Sequence, residues 1–241
     1  MTARILIIAG SDSGGGAGIQ ADIKTVTMFG GHAMTAITAV TAQNTLGVQA
    51  VHPIPTEMVL AQIDSVLADI GADAVKIGMI GSAATALAVG ERLALLDIPI
   101  VFDPVMVATS GSELADSDTI AAFGRLMDIA TIVTPNLPEL AALGGREAVL
   151  AHGCHLLEKG GHAGGGQVHD RLWSPDGASV REWTGSRIDS DNTHGTGCTL
   201  ASALTCRLGQ GVALAEAVGD AIGFVRAAIL GRQAGREEKR Y

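Results

Sequence analysis

Asn192-Thr193-His194-Gly195-Thr196-Gly197-Cys198 runs straight into the apolar stretch Thr199-Leu200-Ala201-Ser202-Ala203-Leu204. A tight glycine turn feeding a helix N-terminus leaves several backbone N–H groups unpaired and pointing one way. With the helix dipole they form an anion site. A thiol in that first turn sits where its thiolate is stabilised. Three needs of phosphate chemistry coincide there: glycines for close backbone approach, a helix end for an oxyanion, and a titratable group beside it. The plainer alternative is a glycine-rich connection with Cys198 as a small buried residue.

Other polar clusters carry weaker signals of the same kind. Gly10-Ser11-Asp12-Ser13-Gly14-Gly15-Gly16-Ala17-Gly18 follows a strand-like run and opens a helix-like one, the place of a nucleotide-binding loop. No Gly-Lys-Ser/Thr follows it and no register gives GxGxxG, so it is neither a P-loop nor a dinucleotide fingerprint. Asp22 is expected in the first turn of the next helix, where it complements the dipole or accepts from a substrate hydroxyl or ring amine. Gln43 ends a strand of Thr, Ala and Val. Its amide both donates and accepts, which suits a ring nitrogen beside an amino group. Asp103 and Glu139 are the carboxylates to associate with Mg²⁺, directly or through water, because that ion takes few protein ligands beside substrate phosphates. Asn136 is placed to help position such waters, and Glu139 after Pro138 is equally an ordinary first-turn helix acid. Lys159, before Gly160-Gly161, suits a polyphosphate or is a solvated loop residue. His152, His155, His162 and His169 are scattered without a matched cysteine pair, so no zinc constellation competes.

The elements that must position these residues alternate almost end to end. Ile5–Ala9, Thr35–Thr41, Ala74–Gly78, Ile100–Phe102 and Thr131–Thr134 read as buried strands. Helical periods fall between them: Ile19–Phe29, a segment capped by Thr56 with Val59, Ile63, Val66 and Leu67 on one side, and an alanine-rich run from Ser82 to Leu96. This rhythm predicts an α/β fold with a mostly parallel central sheet flanked by helices. It breaks once, at Arg171–Ser174, Pro175-Asp176-Gly177 and Ser179–Trp183, which predicts a small antiparallel edge hairpin. Two helices, about 198–208 and 212–231, precede a frayed polar tail. The polar clusters all fall at strand carboxyl ends, where open α/β sheets collect ligands.

Bulk properties bound the partners. Over 241 residues, 47% hydrophobic and 17% charged residues describe a well-buried globular chain, read as a single domain over 1–241. A net charge of −9 with no basic stripe argues against nucleic acid or an anionic membrane as partner. Aromatics at 3% leave little for base stacking. Cys154, Cys198 and Cys206 show no CxxC spacing, which fits a reduced, cytoplasmic compartment. The apolar run Ile5–Ala9 is too short for a signal sequence, and no stretch reaches the length of a membrane span.

Together the clusters resemble the ribokinase-like superfamily, and within it the hydroxymethylpyrimidine/phosphomethylpyrimidine kinases of thiamine biosynthesis. The resemblance rests on Ala9–Asp22, Ala42-Gln43-Asn44-Thr45, Lys76–Met79, Asp103–Met106, Thr134–Glu139, Lys159–His162 and Asn192–Thr199, in the family's order over most of the chain. It implies ATP- and Mg²⁺-dependent phosphorylation of an aminopyrimidine alcohol and then of its monophosphate, by a homodimer. By position it implies that Gly10, Asp22, Gln43, Met79 and Val105 line the pyrimidine pocket. Asn136, Glu139, Lys159, Thr193 and Thr196 would serve ATP and Mg²⁺. Cys198 falls where most superfamily kinases carry an aspartate base, with Gly195 and Gly197 in its anion turn and Lys159 countering charge.

The sequence departs from the family's pattern in three places. Ser13-Gly14 replaces Pro-Ser, implying a more mobile loop. Thr109 replaces a lysine, and the stretch from Leu143 to Cys154 is short, trimming a peripheral helix. The competing expectations are a pyridoxal or pyridoxine kinase, and a catalytically weak paralogue that only binds its pyrimidine.

Overall fold

Strand parity decides what faces what. In β1 (Arg4–Asp12), Leu6 and Ile8 point to one side of the sheet while Ile5, Ile7 and Ala9 point to the other, all of them buried. A strand buried on both faces reads as a continuous apolar run, and helices must cover both sides. The structure is a computed structural model that describes residues 2–107, 111–112, 114–162, 164–190 and 194–237, leaving aside the side chains of 162 and 232–237.

The remaining strands are β2 (His32–Asn44), β3 (Gly47–Pro53), β4 (Ala74–Ile77), β5 (Ile100–Phe102), β6 (Ile132–Val133), β7 (His155–Glu158), β8 (Gln167–Trp173) and β9 (Ser179–Ser186). They form one nine-stranded sheet in the order β3-β2-β1-β4-β5-β6-β7-β8-β9. From β2 to β7 the strands are parallel, and β3, β8 and β9 add antiparallel edges. The hairpin of β8 and β9 is the expected one. The hairpin of β2 and β3 is not foreseen, because Gly47–Pro53 is exposed from Gln49 onward and shows no apolar alternation.

The helices are α1 (Gly18–Met28), α2 (Thr56–Asp69), α3 (Ala83–Leu93), α4 (Ser117–Met127), α5 (Leu137–Ala142), α6 (Arg146–Leu150), α7 (Thr196–Gly209) and α8 (Leu214–Glu237). On one face α2, α3, α4 and α6 bury Val59, Ile63, Val89, Phe123 and Val149 against Leu6, Ile8, Val75 and Ile77. On the other, α1, α7 and α8 cover Ile5, Ile7, Val101 and Ile132.

Ser82 caps α3 by accepting from the Thr85 amide, and Asn136 and Glu139 form a reciprocal capping box on α5. Thr56, expected from the sequence to cap α2, does not cap it. Pro55 holds that position, and the Thr56 hydroxyl instead lies 2.9 Å from that of Thr85. α3 stops at Leu93, short of Leu96. α8 runs on through Arg236 to Glu237, where a frayed tail was expected, since nothing before Glu237 breaks a helix. The short Leu143–Cys154 stretch retains only the five-residue α6.

The order of strands reverses direction of travel at β1. The chain goes from β1 outward to β2 and β3, then returns to β4 on β1's other side. Such a switch point opens a crevice at the strand carboxyl ends.

Candidate active site

Parity also gathers the polar side chains on one face. Ala74, Val101, Ile132 and Leu157 pack on the side of α1 and α7. Two residues further along each strand direction come Lys76, Asp103, Thr134 and Lys159, so they reach the same side. Lys76 is fully buried there, its Nζ 2.9 Å from Asp22 Oδ2 of α1, and Ser202 of α7 donates to Asp22 Oδ1 at 2.7 Å.

Asp22 therefore lies in the second turn of α1, not the first, and does not serve the helix dipole. Both of its oxygens accept from the chain's own donors. Lys76 is the residue that motif reasoning passes over. The available signal is a lysine inside the buried strand Ala74–Ile77, because such a charge requires a buried partner. Burial acts to lower the Lys76 ammonium, yet Asp22, the Cys198 sulfur and Asp103 hold it above its ordinary value.

Cys198 sits one helical turn before Ser202, so its thiol shares the face that meets Asp22 and Lys76. The Gly18 amide is directed at the sulfur. Burial pushes the thiol up to about 11, against the pull of Lys76 and with the push of Asp22 and Asp103. The expected stabilised thiolate is thus corrected: desolvation outweighs the helix end and the lysine, and the thiol keeps its proton at neutral pH.

Beyond Cys198 lies a charged cluster. Lys159 Nζ pairs with Asp103 Oδ1 at 2.9 Å, and Thr134 donates to the same oxygen at 3.0 Å. Burial acts to raise Asp103, but Lys159 and Lys76 hold it below its ordinary value. Glu139 Oε2 accepts the Asn136 amide at 2.8 Å, and burial pushes this carboxyl up to about 7, Lys159 opposing and Asp103 adding to the rise. Among the described residues, Asp103 Oδ2 and Glu139 Oε1 accept no hydrogen bond. Two buried carboxylates that repel each other, each with an oxygen to spare, fit a divalent cation. Among the described residues no three His, Cys, Asp or Glu side chains converge, so such an ion relies on water and phosphate for the rest of its shell.

The turn before α7 joins this cluster to the other end of the crevice. A Cβ on Gly197 would stand 3.5 Å from Lys159 Nζ and 3.7 Å from Asp103 Oδ2. Gly195 has φ +78°, and a Cβ there would lie 1.8 Å from the Gly16 carbonyl, so the β1–α1 loop and the α7 turn meet backbone to backbone. Thr196 opens α7, while Asn192, Thr193 and Thr109 lie outside the described residues.

On the far side, Gly10 abuts Met79, where a Cβ would come within 3.0 Å of the Met79 sulfur. The Val105 amide donates to the Asp103 carbonyl at 2.8 Å, fixing the residue just past the cluster. The Gln43 side chain, half-buried, lies 3.1 Å from Thr41 Oγ1 and 3.5 Å from His194 Nε2. Asp12 accepts the amides of Gly14, Gly16 and Ala17 and faces His194 Nε2 at 3.1 Å. Ser13 and Gln43 exchange hydrogen bonds of 2.8 Å, so the Ser13-Gly14 loop is stitched to β2.

A mostly parallel sheet whose carboxyl ends bring together a glycine turn at a helix N-terminus and a lysine against buried carboxylates has the equipment of a small-molecule kinase. The family model described as phosphomethylpyrimidine kinase matches residues 12–239. A hydroxymethylpyrimidine/phosphomethylpyrimidine kinase of Rhizobium meliloti is 45% identical over 244 residues, covering 95% of this chain and 91% of that protein. The crystal structure of phosphomethylpyrimidine kinase from Clostridium difficile superimposes with a TM-score of 0.81 at 36% identity, covering 95% of this chain and 100% of that one. An ADP complex of Bacillus subtilis pyridoxal kinase gives 0.86 at 32% identity, over 95% and 92% of the chains. This chain belongs to the phosphomethylpyrimidine kinase family, and it is a phosphotransferase of ribokinase-like fold.

Proposed function

We propose that this enzyme transfers the γ-phosphoryl group of ATP to the hydroxymethyl group of 4-amino-5-hydroxymethyl-2-methylpyrimidine. It then phosphorylates the monophosphate to the diphosphate used in thiamine assembly. The observation that carries the proposal is the placement of Gly195–Cys198 between the ring-side residues and the Lys159–Asp103–Glu139 cluster. An acceptor hydroxyl beside Cys198 and a triphosphate beside Lys159 would meet at the N-terminus of α7.

The roles follow from the chemistry of each group. The amides of Gly195–Cys198 receive the transferring phosphoryl oxygens, and Lys159 counters their charge. Mg²⁺ held by Asp103 and Glu139 would neutralise phosphate charge. In the fraction of molecules that carry Cys198 as thiolate, the acceptor's O–H proton passes to that sulfur as the new O–P bond forms and ADP leaves with the electrons of the old one. Because the transition state for phosphoryl transfer is loose, little charge builds on the nucleophile early, and a thiolate present as a minor fraction suffices. Gly10, Gln43, Met79 and Val105 would line the ring. Asp22 contributes through Lys76, and Thr193 is assigned to the nucleotide by resemblance alone.

Incubation with ATP and Mg²⁺ plus the pyrimidine alcohol, its monophosphate or pyridoxal, followed by mass spectrometry, tests the proposal. Formation of the diphosphate is expected. Pyridoxal phosphate as the only product would make this a pyridoxal kinase, the activity named for the Bacillus neighbour. Binding without turnover would make it a pyrimidine-binding paralogue.

A cytoplasmic homodimer belongs to the same proposal. Cys154, Cys198 and Cys206 are free, and no described helix is long and apolar enough to cross a membrane. β3 ends the sheet, and the hairpin exposes Leu46 at 87% beside half-exposed Val40 and Val51, a surface suited to a second copy. Sedimentation at micromolar concentration as a monomer would exclude it.

A further inference from the structure

Around Gln43 donors and acceptors are mismatched on both sides of the amide, and His194 stands at one of the mismatches. Thr41 Oγ1 lies 3.0 Å from the Ser11 carbonyl and 3.1 Å from Gln43 Oε1, but a hydroxyl has one proton to donate. On the other side Gln43 Nε2, a donor, faces His194 Nε2 at 3.5 Å, and the same nitrogen lies 3.1 Å from the buried Asp12 Oδ2. A carboxylate accepts only, so that imidazole nitrogen must carry a proton, which leaves two donors facing each other across to Gln43.

One change removes both conflicts. The oxygen and nitrogen of a side-chain amide occupy nearly equivalent positions, and the hydrogen-bond network decides which is which. With the amide turned over, its NH₂ donates to Thr41 Oγ1, freeing the Thr41 proton for the Ser11 carbonyl. Its oxygen then meets the His194 N–H that also serves Asp12. Gly16 packs on the ring so closely that a Cβ there would fall 2.5 Å from His194 Cδ2.

We infer that His194 is a positioning residue that fixes the sense of the Gln43 amide, so that Gln43 keeps one N–H for a ring acceptor of the substrate. The chain Asp12–His194–Gln43–Thr41–Ser11 thereby ties ring recognition to the turn that receives the phosphoryl group, because His194 is the residue just before Gly195. The inference rests on the pyrimidine reading for its substrate, not for its proton count.

The test compares His194→Gln with His194→Asn. A glutamine places its amide nitrogen near the level of the imidazole Nε2, whereas asparagine reaches only the level of Nδ1. Loss of one such hydrogen bond corresponds to roughly a tenfold change. His194→Asn is therefore expected to raise KM for the pyrimidine about tenfold with KM for ATP and kcat little changed, and His194→Gln to recover most of that loss. Thr41→Val, nearly isosteric, should raise the same KM. Equal KM values for the Gln and Asn variants, or a parallel rise in KM for ATP, would overturn the inference. Long-range ¹H–¹⁵N spectra of the unliganded protein give an activity-free readout: a proton on His194 Nε2 is expected, and an Nδ1–H-only ring would refute it. Should the wild type fail to phosphorylate the pyrimidine, the functional reading falls while the spectra still decide this one.

Discussion

A thiol pushed up to about 11 is almost wholly protonated at neutral pH, so Cys198 can accept a proton only in the small fraction of molecules that carry it as thiolate. Two consequences are measurable. Cys198→Ala should lower kcat by roughly 10²–10⁴, the usual contribution of a positioned base, with ADP binding by calorimetry unchanged. In the wild type kcat should climb from pH 7 toward pH 9, since the thiolate fraction rises with pH below the thiol's value. A flat profile in this range would remove Cys198 from the proton path. Glu139, raised to about 7, gives its interaction with cations a pH dependence of the same sign in a lower range. Below that value a proton occupies the carboxyl, and a metal must displace it. Mn²⁺ affinity should weaken as pH falls from 8 to 6, and Glu139→Gln should be weaker throughout and flat with pH. At this scale the types of residue were readable in the sequence, because a thiol after two glycines and a lysine before two more stand out. Their protonation states were not, since they depend on burial and on charges brought from distant strands.

The turn into α7 is an element whose geometry leaves no slack. Gly195 has φ +78°, and the Gly16 carbonyl occupies the space of any side chain. Gly195→Ala must displace the turn from the β1–α1 loop, at a cost of about 1–3 kcal/mol in strain alone. The expected result is a lowered melting temperature together with weakened ADP binding; retained ADP affinity would show that the turn is not the phosphate seat. Helix starts were well marked where a side chain does the capping, as at Ser82 and Asn136. Thr56 misled because a Pro-Thr pair offers two candidates for one position, and Pro55 takes it with no side-chain bond. The exposed strand β3 left no periodic trace, as only its backbone is used by β2.

At the scale of the whole molecule, the Lys76–Asp22 pair joins β4 to α1, and Ser202 brings in α7, all without access to solvent. Removing one partner leaves the other charge buried and unpaired, which costs about 3–5 kcal/mol, whereas removing both costs much less. Lys76→Met should therefore lower the urea midpoint sharply, and Lys76→Met combined with Asp22→Leu should recover part of the loss. If the double variant is no more stable than the single one, the pair is not the main reason for the loss. The same pair underlies the thiol of Cys198, so stability and the site share one buried cation.

The amino-acid sequence by itself determined the alternation of strands and helices, the mostly parallel sheet and the glycine turn that leads Cys198 into a helix. These are properties of local pattern: period, glycine placement and polar residues at strand ends. Only the tertiary structure decided that Lys76 meets Asp22, that burial keeps the Cys198 proton in place, and that His194 lies between Asp12 and Gln43. Each of those depends on residues far apart in the chain whose separation is set by strand order and parity, and on a desolvation that no single segment contains.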